Sequence, residues 1–309
     1  MVLKEIKISD IDIYNPKFIV PYKKIPTELV NSIKDIGIIN PPIVITNDKQ
    51  YFILTGFKRI SISQELGFKT VFCKVKSENE TSFDECIKII YEDNKDRYTD
   101  IEIGELCRKH IDNGNDVKQF LKLIDYHTTE RNIQRFTYLS NIDSRITNYY
   151  LDEKLNPEQC FLLSQINIVD ALLLIIKVIV PFRFNTNETR ELLSELNDIS
   201  IRDDISISQI VENILNMQEQ STKNGIRLDI KKLRSPRLVE VEKEYNQIVK
   251  SLKLPKGVLI SYSPYFENNY IEVKARIDNE NKLNELKILF ENEDNFKRLL
   301  DLIRLVRGE

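Results

Sequence analysis

Apolar and polar positions alternate between strand and helix periods over roughly the first third of the chain. Alternation over Leu3–Ile13 predicts a first strand. Helical spacing of apolar residues after Thr27, a good N-cap, predicts a helix that ends at Gly37. Three further strands and two helices are predicted at Ile43–Thr46, Tyr51–Leu54, Phe57–Leu66, Thr70–Val75 and from Thr81 or Ser82 to Tyr91. The strands at 43–46 and 51–54 are joined by a hairpin turn at Asn47-Asp48.

From about Ile101 to Met217 the pattern is helical throughout. Helices are predicted at Ile101–Ile111, at Val117–Ile124 and after the N-cap Thr129. The apolar run from Ile168 to Phe182 contains two charged residues and is too short to cross a bilayer, so we predict a buried helix. We therefore expect no membrane association.

The remaining chain begins with Gln218 to Pro236, which contains residues that interrupt helices and strands, and we predict a linker there. Two alternating strands at Val258–Tyr262 and Tyr270–Ile277, separated by a loop at Glu267-Asn268-Asn269, are followed by a helix at Asn295–Val306. So small a hairpin–helix unit buries little apolar surface alone, and we expect it to dimerise.

These patterns predict an α+β protein with three domains. Residues 1–98 form a small mixed α/β domain, residues 99–217 an all-helical domain, residues 218–236 a linker and residues 237–309 a C-terminal dimerisation domain.

Composition excludes several function classes. The net charge is −3 over 309 residues, so any attraction to nucleic acid must come from a local basic patch. Four scattered cysteines and only two histidines argue against a zinc cluster, and with no signal peptide they favour a reduced, cytoplasmic protein. The chain has no Gly-x-x-x-x-Gly-Lys-Ser/Thr loop and hence no P-loop nucleotide site.

The turn between the predicted strand at Tyr51–Leu54 and the following helix has the chemistry of an anion site. Gly56 permits a backbone conformation closed to other residues, and Lys58 and Arg59 stand in the first helical turn. Helix starts offer free N–H groups and a positive dipole end, which suit phosphate. An ordinary strand–helix connection with solvated cations is the alternative.

A second polar run, Glu92 to Arg97, closes the predicted first domain. Asp93 could hold a divalent metal through its carboxylate, and Asn94 and Arg97 could donate to phosphate. The alternative is a solvated helix end.

The helices on either side of the turn at residues 125–128 have the layout of a helix-turn-helix DNA reader. Arginine, asparagine and glutamine pair best with base edges. The residues we expect to contact DNA are Thr129, Arg131, Asn132, Gln134 and Arg135. Two helices and a tight turn also occur in any helical domain. A basic run from Gly225 to Lys256 is either a solvated surface or a segment that follows the DNA backbone.

Taken together, these motifs resemble the ParB family of DNA-partition proteins. Ser32 to Gly37 followed by Asn40 to Ile45 is similar to the family pattern S-I-x-x-x-G-x-x-x-P-I-x-V. Thr55 to Arg59 stands where the family has G-E-R-R, and Asp93 to Arg97 where it has E-N-x-x-R. The helical centre and the terminal hairpin–helix are similar to the family's DNA-binding and dimerisation parts. The N-terminal fold expected is thus ParB/sulfiredoxin-like.

The resemblance implies a CTP-dependent DNA clamp: a homodimer that loads on a centromere-like site, closes when CTP and Mg²⁺ bind, and resets by slow CTP hydrolysis. The residues implied to bind nucleotide are Thr55, Gly56, Phe57, Lys58, Arg59, Asn94 and Arg97, with Asp93 at the metal. It also implies association with nucleoid or plasmid and a partner ATPase of the ParA type. Family members use a basic tail ahead of the first strand for that partner, and we expect the short stretch here to weaken the partnership.

The chain departs from the family pattern at Phe57 and Lys58, which replace Glu-Arg, and at Asp93, which replaces a longer glutamate. Lysine is a point charge where arginine is a bidentate fork, which puts phosphate selectivity in question. Sulfiredoxin chemistry is excluded because no cysteine lies between Thr55 and Arg59. A plasmid transcription regulator that needs no nucleotide and a ParB-like nuclease or small-molecule kinase remain as alternatives.

Overall fold

A computed structural model of the chain describes residues 1–13, 15–20, 25–47, 50–216, 222–263 and 268–308. The chain divides into two compact units, Met1–Leu193 and Ser194–Glu309. The division differs from the three predicted domains because the sheet and the first helices behind it form one unit. Across the described residues, every helix is too short or too polar to span a bilayer.

A five-stranded mixed sheet begins the first unit. The strands are β1 (Val2–Lys7), β2 (Ile11–Asp12), β3 (Ile43–Thr46), β4 (Tyr51–Thr55) and β5 (Thr70–Ser77), in the order β1-β5-β3-β4-β2. The outermost strands β1 and β2 are consecutive in sequence, and a 3₁₀ turn at Ile8–Asp10 separates them. The predicted single strand Leu3–Ile13 is therefore broken in two, because the chain must cross from one edge of the sheet to the other.

The sheet core is made by the alternating apolar residues of these strands. Its buried members are Ile6, Ile8, Ile11, Ile13, Val44, Ile53, Ile60, Val71, Cys73 and Val75. Three helices accompany the strands: α1 (Thr27–Ile36), α2 (Phe57–Glu65) and α3 (Phe83–Asn94). The observed bounds of α1, β3 and α2 lie within one residue of the predicted ones, whereas α3 continues three residues beyond Tyr91.

Helices make up the rest of the first unit. They are α4 (Asp100–Asp112), α5 (Val117–Leu123), α6 (Glu130–Ser140), α7 (Ser144–Leu151), α8 (Pro157–Leu163) and α9 (Ile168–Leu174), followed by a π-helical turn at Ile175–Ile179. Helix α10 (Thr186–Asp203) begins in the first unit and ends in the second. Polar N-caps start most of them, and the cap predicted at Thr129 is among these. The predicted helix Ile168–Phe182 is thus α9 continued by that π turn, and Leu174 and Val178 are fully buried.

The second unit contains α11 (Ile207–Asn216), α12 (Lys223–Arg234), α13 (Pro236–Ser251), a hairpin of β6 (Val258–Tyr262) and β7 (Ile271–Ala275), α14 (Glu280–Glu291) and α15 (Glu293–Arg307). Within the predicted linker, Lys223–Arg234 is helical because Thr222 caps it through Gly225 N–H and Ile226 and Ile230 are buried. Helix α14 was not predicted. Residues 218–221 of that linker, Asp48 of the predicted hairpin turn and Glu267 of the predicted loop lie outside the described residues.

Candidate functional site

Strand β4 passes into α2 through Gly56, which stands in the left-handed region with φ +84°. A Cβ at this position would lie 2.9 Å from Arg59 Nη2 and 2.9 Å from Pro42 Cβ. Both the backbone angle and the lack of space require glycine. The turn predicted from sequence is therefore a close packing of backbone, an arginine and a proline.

The start of α2 is electrostatically unusual. Gly56 supplies no capping side chain, the first turn has no acidic residue, and it carries Lys58 and Arg59. The adjacent helices α3 and α4 are capped by Ser82 and Thr99. Because the N-terminal end of a helix dipole is positive, two cations there are unfavourable until an anion joins them. The helix start therefore has the positive charge of an anion site.

This helix start opens into a cleft of about 350 Å³ in the first unit. All seven residues predicted to bind nucleotide line it: Thr55, Gly56, Phe57, Lys58, Arg59, Asn94 and Arg97. Two stretches almost 40 residues apart in sequence thus share one cleft because α3 returns to the sheet beside β4. This arrangement places three cations around a single cavity.

Arg59 is held in place from two sides. Its Nη1 donates to the carbonyl oxygen of Asn40, and its Nη2 lies 3.4 Å from Asp93 Oδ2. Burial lowers the pKa of the Arg59 guanidinium, and the charge of Asp93 opposes that shift. Asp93, predicted as a metal ligand, is therefore in contact with a cation in this structure.

The end of α3 brings Asn94 and Arg97 to the cleft. Asn94 Nδ2 donates to the carbonyl oxygen of Ile90 at 2.8 Å, which orients the amide. The backbone N–H of Arg97 donates to the carbonyl oxygen of Asn94 at 2.8 Å, so the chain turns there and the Arg97 side chain is exposed. The Arg97 side chain is therefore available to contact a ligand in the cleft.

A buried polar network that the sequence reasoning missed forms another wall of the cleft. Glu102, 7% exposed, accepts hydrogen bonds from Thr99 N–H at 2.9 Å, from the Thr99 hydroxyl and from Tyr150 Oη at 2.8 Å. Burial lowers the pKa of Lys58, and the negative charge of Glu102 opposes that shift. The Thr-x-x-Glu spacing at 99–102 is a capping-box signal that could have located Glu102, but nothing local identifies Tyr150.

The cleft also has an apolar wall that was not predicted. It consists of Phe18, Ile19, Val20, Leu29, Ile53 and Leu54. Phe18 is only 3% exposed and stacks on Phe83 with ring centroids 6.1 Å apart. A cleft with apolar and cationic walls suits a ligand that combines a flat, weakly polar group with negative charge.

The two helices of the predicted helix-turn-helix correspond to α5 and α6. Thr129 Oγ1 accepts from the backbone N–H of Asn132 at 3.3 Å, as expected of an N-cap, and Asn132 Nδ2 donates to the carbonyl oxygen of His127 at 2.8 Å. Arg131 and Gln134 are exposed. These two side chains are accessible to DNA, whereas Asn132 is occupied in shaping the turn.

Arg135 does not project freely from α6. Its Nε lies 2.5 Å from Asp100 Oδ2, its Nη1 lies 2.9 Å from Glu158 Oε2, and its guanidinium covers the Phe161 ring at 4.3 Å. Only 16% of the side chain is exposed. The assignment of Arg135 to base reading therefore conflicts with its geometry: the side chain ties α6 to α4 and α8.

In the first part of the basic run from Gly225 to Lys256, the cations are also paired with carboxylates. Lys231 lies 2.9 Å from Glu242, and Arg234 lies 2.7 Å from Asp198. Lys232 lies 2.8 Å from Asp229. These pairs favour the structural interpretation of residues 231–234 over a path for DNA.

The family profile described as the ParB N-terminal domain matches residues 1–87. The expected resemblance is thereby confirmed for the N-terminal segment, which has a mixed α/β fold. The match includes the Gly56 turn, Lys58 and Arg59 and ends before Asp93. A comparison with curated proteins finds no match.

Solved structures of low overall similarity complete the comparison. C-terminally truncated ParB from Caulobacter crescentus, complexed to the centromeric parS site, is 17% identical, with a TM-score of 0.36 over 62% of this chain and 99% of that chain. The same protein complexed with CTP-γ-S is 17% identical, with a TM-score of 0.26 over 58% and 99%. A pNOB8-like ParB N-domain is 15% identical, with a TM-score of 0.38 over 75% and 96%.

Proposed function

With residues 1–87 matched to the ParB N-terminal domain, we propose that the chain is a ParB-like DNA-partition protein that binds CTP in the cleft beside Gly56 and DNA through α5 and α6. The observation that carries the proposal is the convergence of Lys58, Arg59 and Arg97 on one cleft at an uncapped helix start. A triphosphate carries the negative charge that suits three cations at a helix start.

Each wall of the cleft has a role in this proposal. The backbone after Gly56 cradles phosphate oxygens, and the three cations neutralise them. Arg59 meets the ligand already oriented by Asn40 and Asp93, which reduces the entropy lost on binding. The apolar wall around Phe18 receives the nucleoside. Slow hydrolysis of the bound CTP belongs to the same proposal.

Magnesium fits this site only together with the nucleotide. Among the residues that the structure describes, no group of three histidine, cysteine or acidic side chains could hold a metal ion. Mg²⁺ is commonly held by one or two carboxylates together with substrate phosphates. Asp93 would supply that carboxylate, in competition with its contact to Arg59, and the ion would neutralise phosphate charge.

Calorimetry with each of the four ribonucleoside triphosphates and Mg²⁺ tests the nucleotide site. We expect CTP to bind, and Arg59→Ala to weaken that binding about a hundredfold or more because a positioned charge-assisted contact is lost. Lys95→Ala is the matched control, since Lys95 is an exposed cation just past α3 that pairs with Glu92.

Each result of that titration has a defined meaning. No binding of any triphosphate to the folded wild-type chain would reject the nucleotide proposal. If DNA binding persisted in that case, the chain would be a DNA regulator without a nucleotide requirement. Equal losses in Arg59→Ala and Lys95→Ala would show that general charge, not the Gly56 turn, attracts the ligand.

The DNA-binding part of the proposal rests on the exposed start of α6. We expect Arg131→Ala to lose roughly 1–3 kcal/mol for a site selected from a random DNA library, if Arg131 contacts a base. Arg108→Ala is the control, because Arg108 is an exposed arginine on α4 outside the helix-turn-helix. An unchanged footprint and affinity for Arg131→Ala would contradict the assignment of α6 as the DNA reader.

Homodimerisation through the C-terminal hairpin and helices is the third part. Large apolar side chains are exposed there: Leu259, Ile288, Phe296 and Leu300 are 68%, 64%, 52% and 38% exposed. Sedimentation of the full chain should give a dimer that the double change Phe296→Ser with Leu300→Ser dissociates. Val169→Ser, at an exposed apolar residue of the first unit, should leave the dimer intact. A monomeric wild-type chain would overturn this part.

A further inference from the structure

The hydroxyl group of Thr55 is buried without a hydrogen-bond partner among the residues described. The residue is 3% exposed, so bulk solvent does not reach that atom. Leaving a buried hydroxyl unsatisfied costs free energy, and native proteins satisfy most such groups. Valine has almost the same shape and would avoid the cost, which makes the threonine at this position unexplained by packing.

The position of Thr55 connects this hydroxyl to the cleft. Thr55 is the last residue of β4, precedes Gly56, and lines the cleft together with the first turn of α2. That turn independently lacks a capping side chain and an acidic residue, and it carries two cations. The unsatisfied hydroxyl of Thr55 is therefore adjacent in sequence to a helix start that has no capping side chain and carries two cations.

We infer that Thr55 Oγ1 donates a hydrogen bond to a phosphate oxygen of the bound triphosphate, and is thus a phosphate-binding residue of the cleft. The inference rests on the proposed nucleotide site. Because Oγ1 is hidden from solvent, the bond requires a rotation about χ1 that moves the hydroxyl to another staggered position. The bond satisfies a group that is otherwise unpaired, so the rotation is favoured when ligand is present.

The neighbouring charges select phosphate over the nucleoside as the acceptor. A hydroxyl donor forms shorter and stronger bonds to an anionic oxygen than to a neutral one. Lys58 and Arg59 lie three and four residues after Thr55, at the same end of α2, and would gather the negative charge there. The nucleoside instead has the apolar wall around Phe18 available to it.

The test compares Thr55→Val and Thr55→Ser with wild type in two measurements. In calorimetry with Mg²⁺ and CTP, and separately with inorganic tripolyphosphate, Thr55→Val should bind both ligands about ten- to a hundredfold more weakly. Thr55→Ser retains the hydroxyl and should bind close to wild type. In thermal unfolding without ligand, Thr55→Val should melt at a higher temperature than wild type because the unsatisfied hydroxyl is gone.

Thr189→Val is the matched control. Thr189 is fully buried, but its hydroxyl donates to the carbonyl oxygen of Asn185 at 2.8 Å and accepts from Gln159 at 3.1 Å. The change should lower the melting temperature and leave CTP affinity unchanged. The two valine variants therefore move stability in opposite directions, and only one of them moves affinity.

The outcomes separate this inference from the proposal on which it rests. Failure of the folded wild-type chain to bind any triphosphate or tripolyphosphate would reject both. Wild-type binding with unchanged binding by Thr55→Val would reject the role of Thr55 alone. A lower melting temperature for Thr55→Val would show that the hydroxyl is already satisfied. A loss for CTP with none for tripolyphosphate would assign the hydroxyl to the nucleoside and overturn the phosphate assignment.

Discussion

The starts of α2 and α6 contain similar residues and are used differently. Each has a lysine or arginine pair near its first turn, Lys58 with Arg59 in one and Arg131 with Arg135 in the other. Helix α6 has its own cap in Thr129 and an acidic residue, Glu130, in its first turn. Helix α2 has neither. The start of α6 is thus capped by its own residues, whereas the uncapped start of α2 opens into a cleft.

The fate of the arginines follows the same division. Arg135 is neutralised by two carboxylates, whereas Arg59 has one carboxylate at a longer distance, 3.4 Å, and a backbone carbonyl. Arg135 of α6 thus holds helices together, whereas Lys58 and Arg59 of α2 lie beside a cavity. Counting cations in the sequence cannot distinguish these two uses.

The largest effect on this comparison should come from Gly56→Ala. We expect a loss of about 2–4 kcal/mol in the free energy of unfolding. Alanine would have to keep a positive φ, and its Cβ would lie only 2.9 Å from each of two neighbouring atoms. Gly67→Ala is the matched control at the other end of α2: φ is +78°, but nothing lies within 4 Å of its added Cβ. Urea unfolding should show the smaller loss there, about 1 kcal/mol. Equal losses would show that close packing at Gly56 is unimportant.

Arg135→Ala should destabilise the protein by about 1–3 kcal/mol, because Asp100 and Glu158 lose a mostly buried partner. Arg131→Ala, on the same helix but exposed, should change stability by less than about 0.5 kcal/mol. Chemical denaturation measures both. An Arg135→Ala variant of unchanged stability that loses DNA binding would restore Arg135 as a base reader.

Thr129→Ala removes the cap that distinguishes α6 from α2 and should cost about 1 kcal/mol. Thr128→Ala, at the exposed threonine immediately before it, is the control and should be nearly neutral. Thermal unfolding of the two variants in parallel gives the difference. If the two changes were equivalent, the contrast between a capped and an uncapped helix start would lose its energetic basis.

The smallest effect concerns the charge of Lys58, whose pKa is lowered by burial. A lowered pKa means that the folded protein releases this proton at a lower pH than the unfolded chain, so the group favours folding more as pH rises through that window. Anion binding needs the charged form and should weaken over the same window. Tripolyphosphate affinity measured from about pH 7 to 10 should fall in wild type and stay flatter in Lys58→Arg. Parallel curves would remove Lys58 from the site.

Local signals account for what could be predicted in advance. Three features were predicted well: the bounds of β3, the start of α6 at its Thr129 cap and the Gly56 turn. Each depends on residues within about four positions of one another. Periodicity and capping act over that range. The sequence did not predict the break at Ile8–Asp10, the helix at Lys223–Arg234 or helix α14. These features depend on which strands form the edges of the sheet and on packing partners that are distant in sequence.

The sequence by itself determined the strand–glycine–helix turn, the capped helices of the centre and the match of the first 87 residues to a known domain family. Only the tertiary structure decided that Asn94, Arg97 and the buried Glu102–Tyr150 pair share the cleft with Gly56, and that Arg135 faces carboxylates instead of solvent. Local conformation follows from neighbouring residues. Partners 35 to 48 positions apart are brought together only by packing, and packing decides which charges remain available for a ligand.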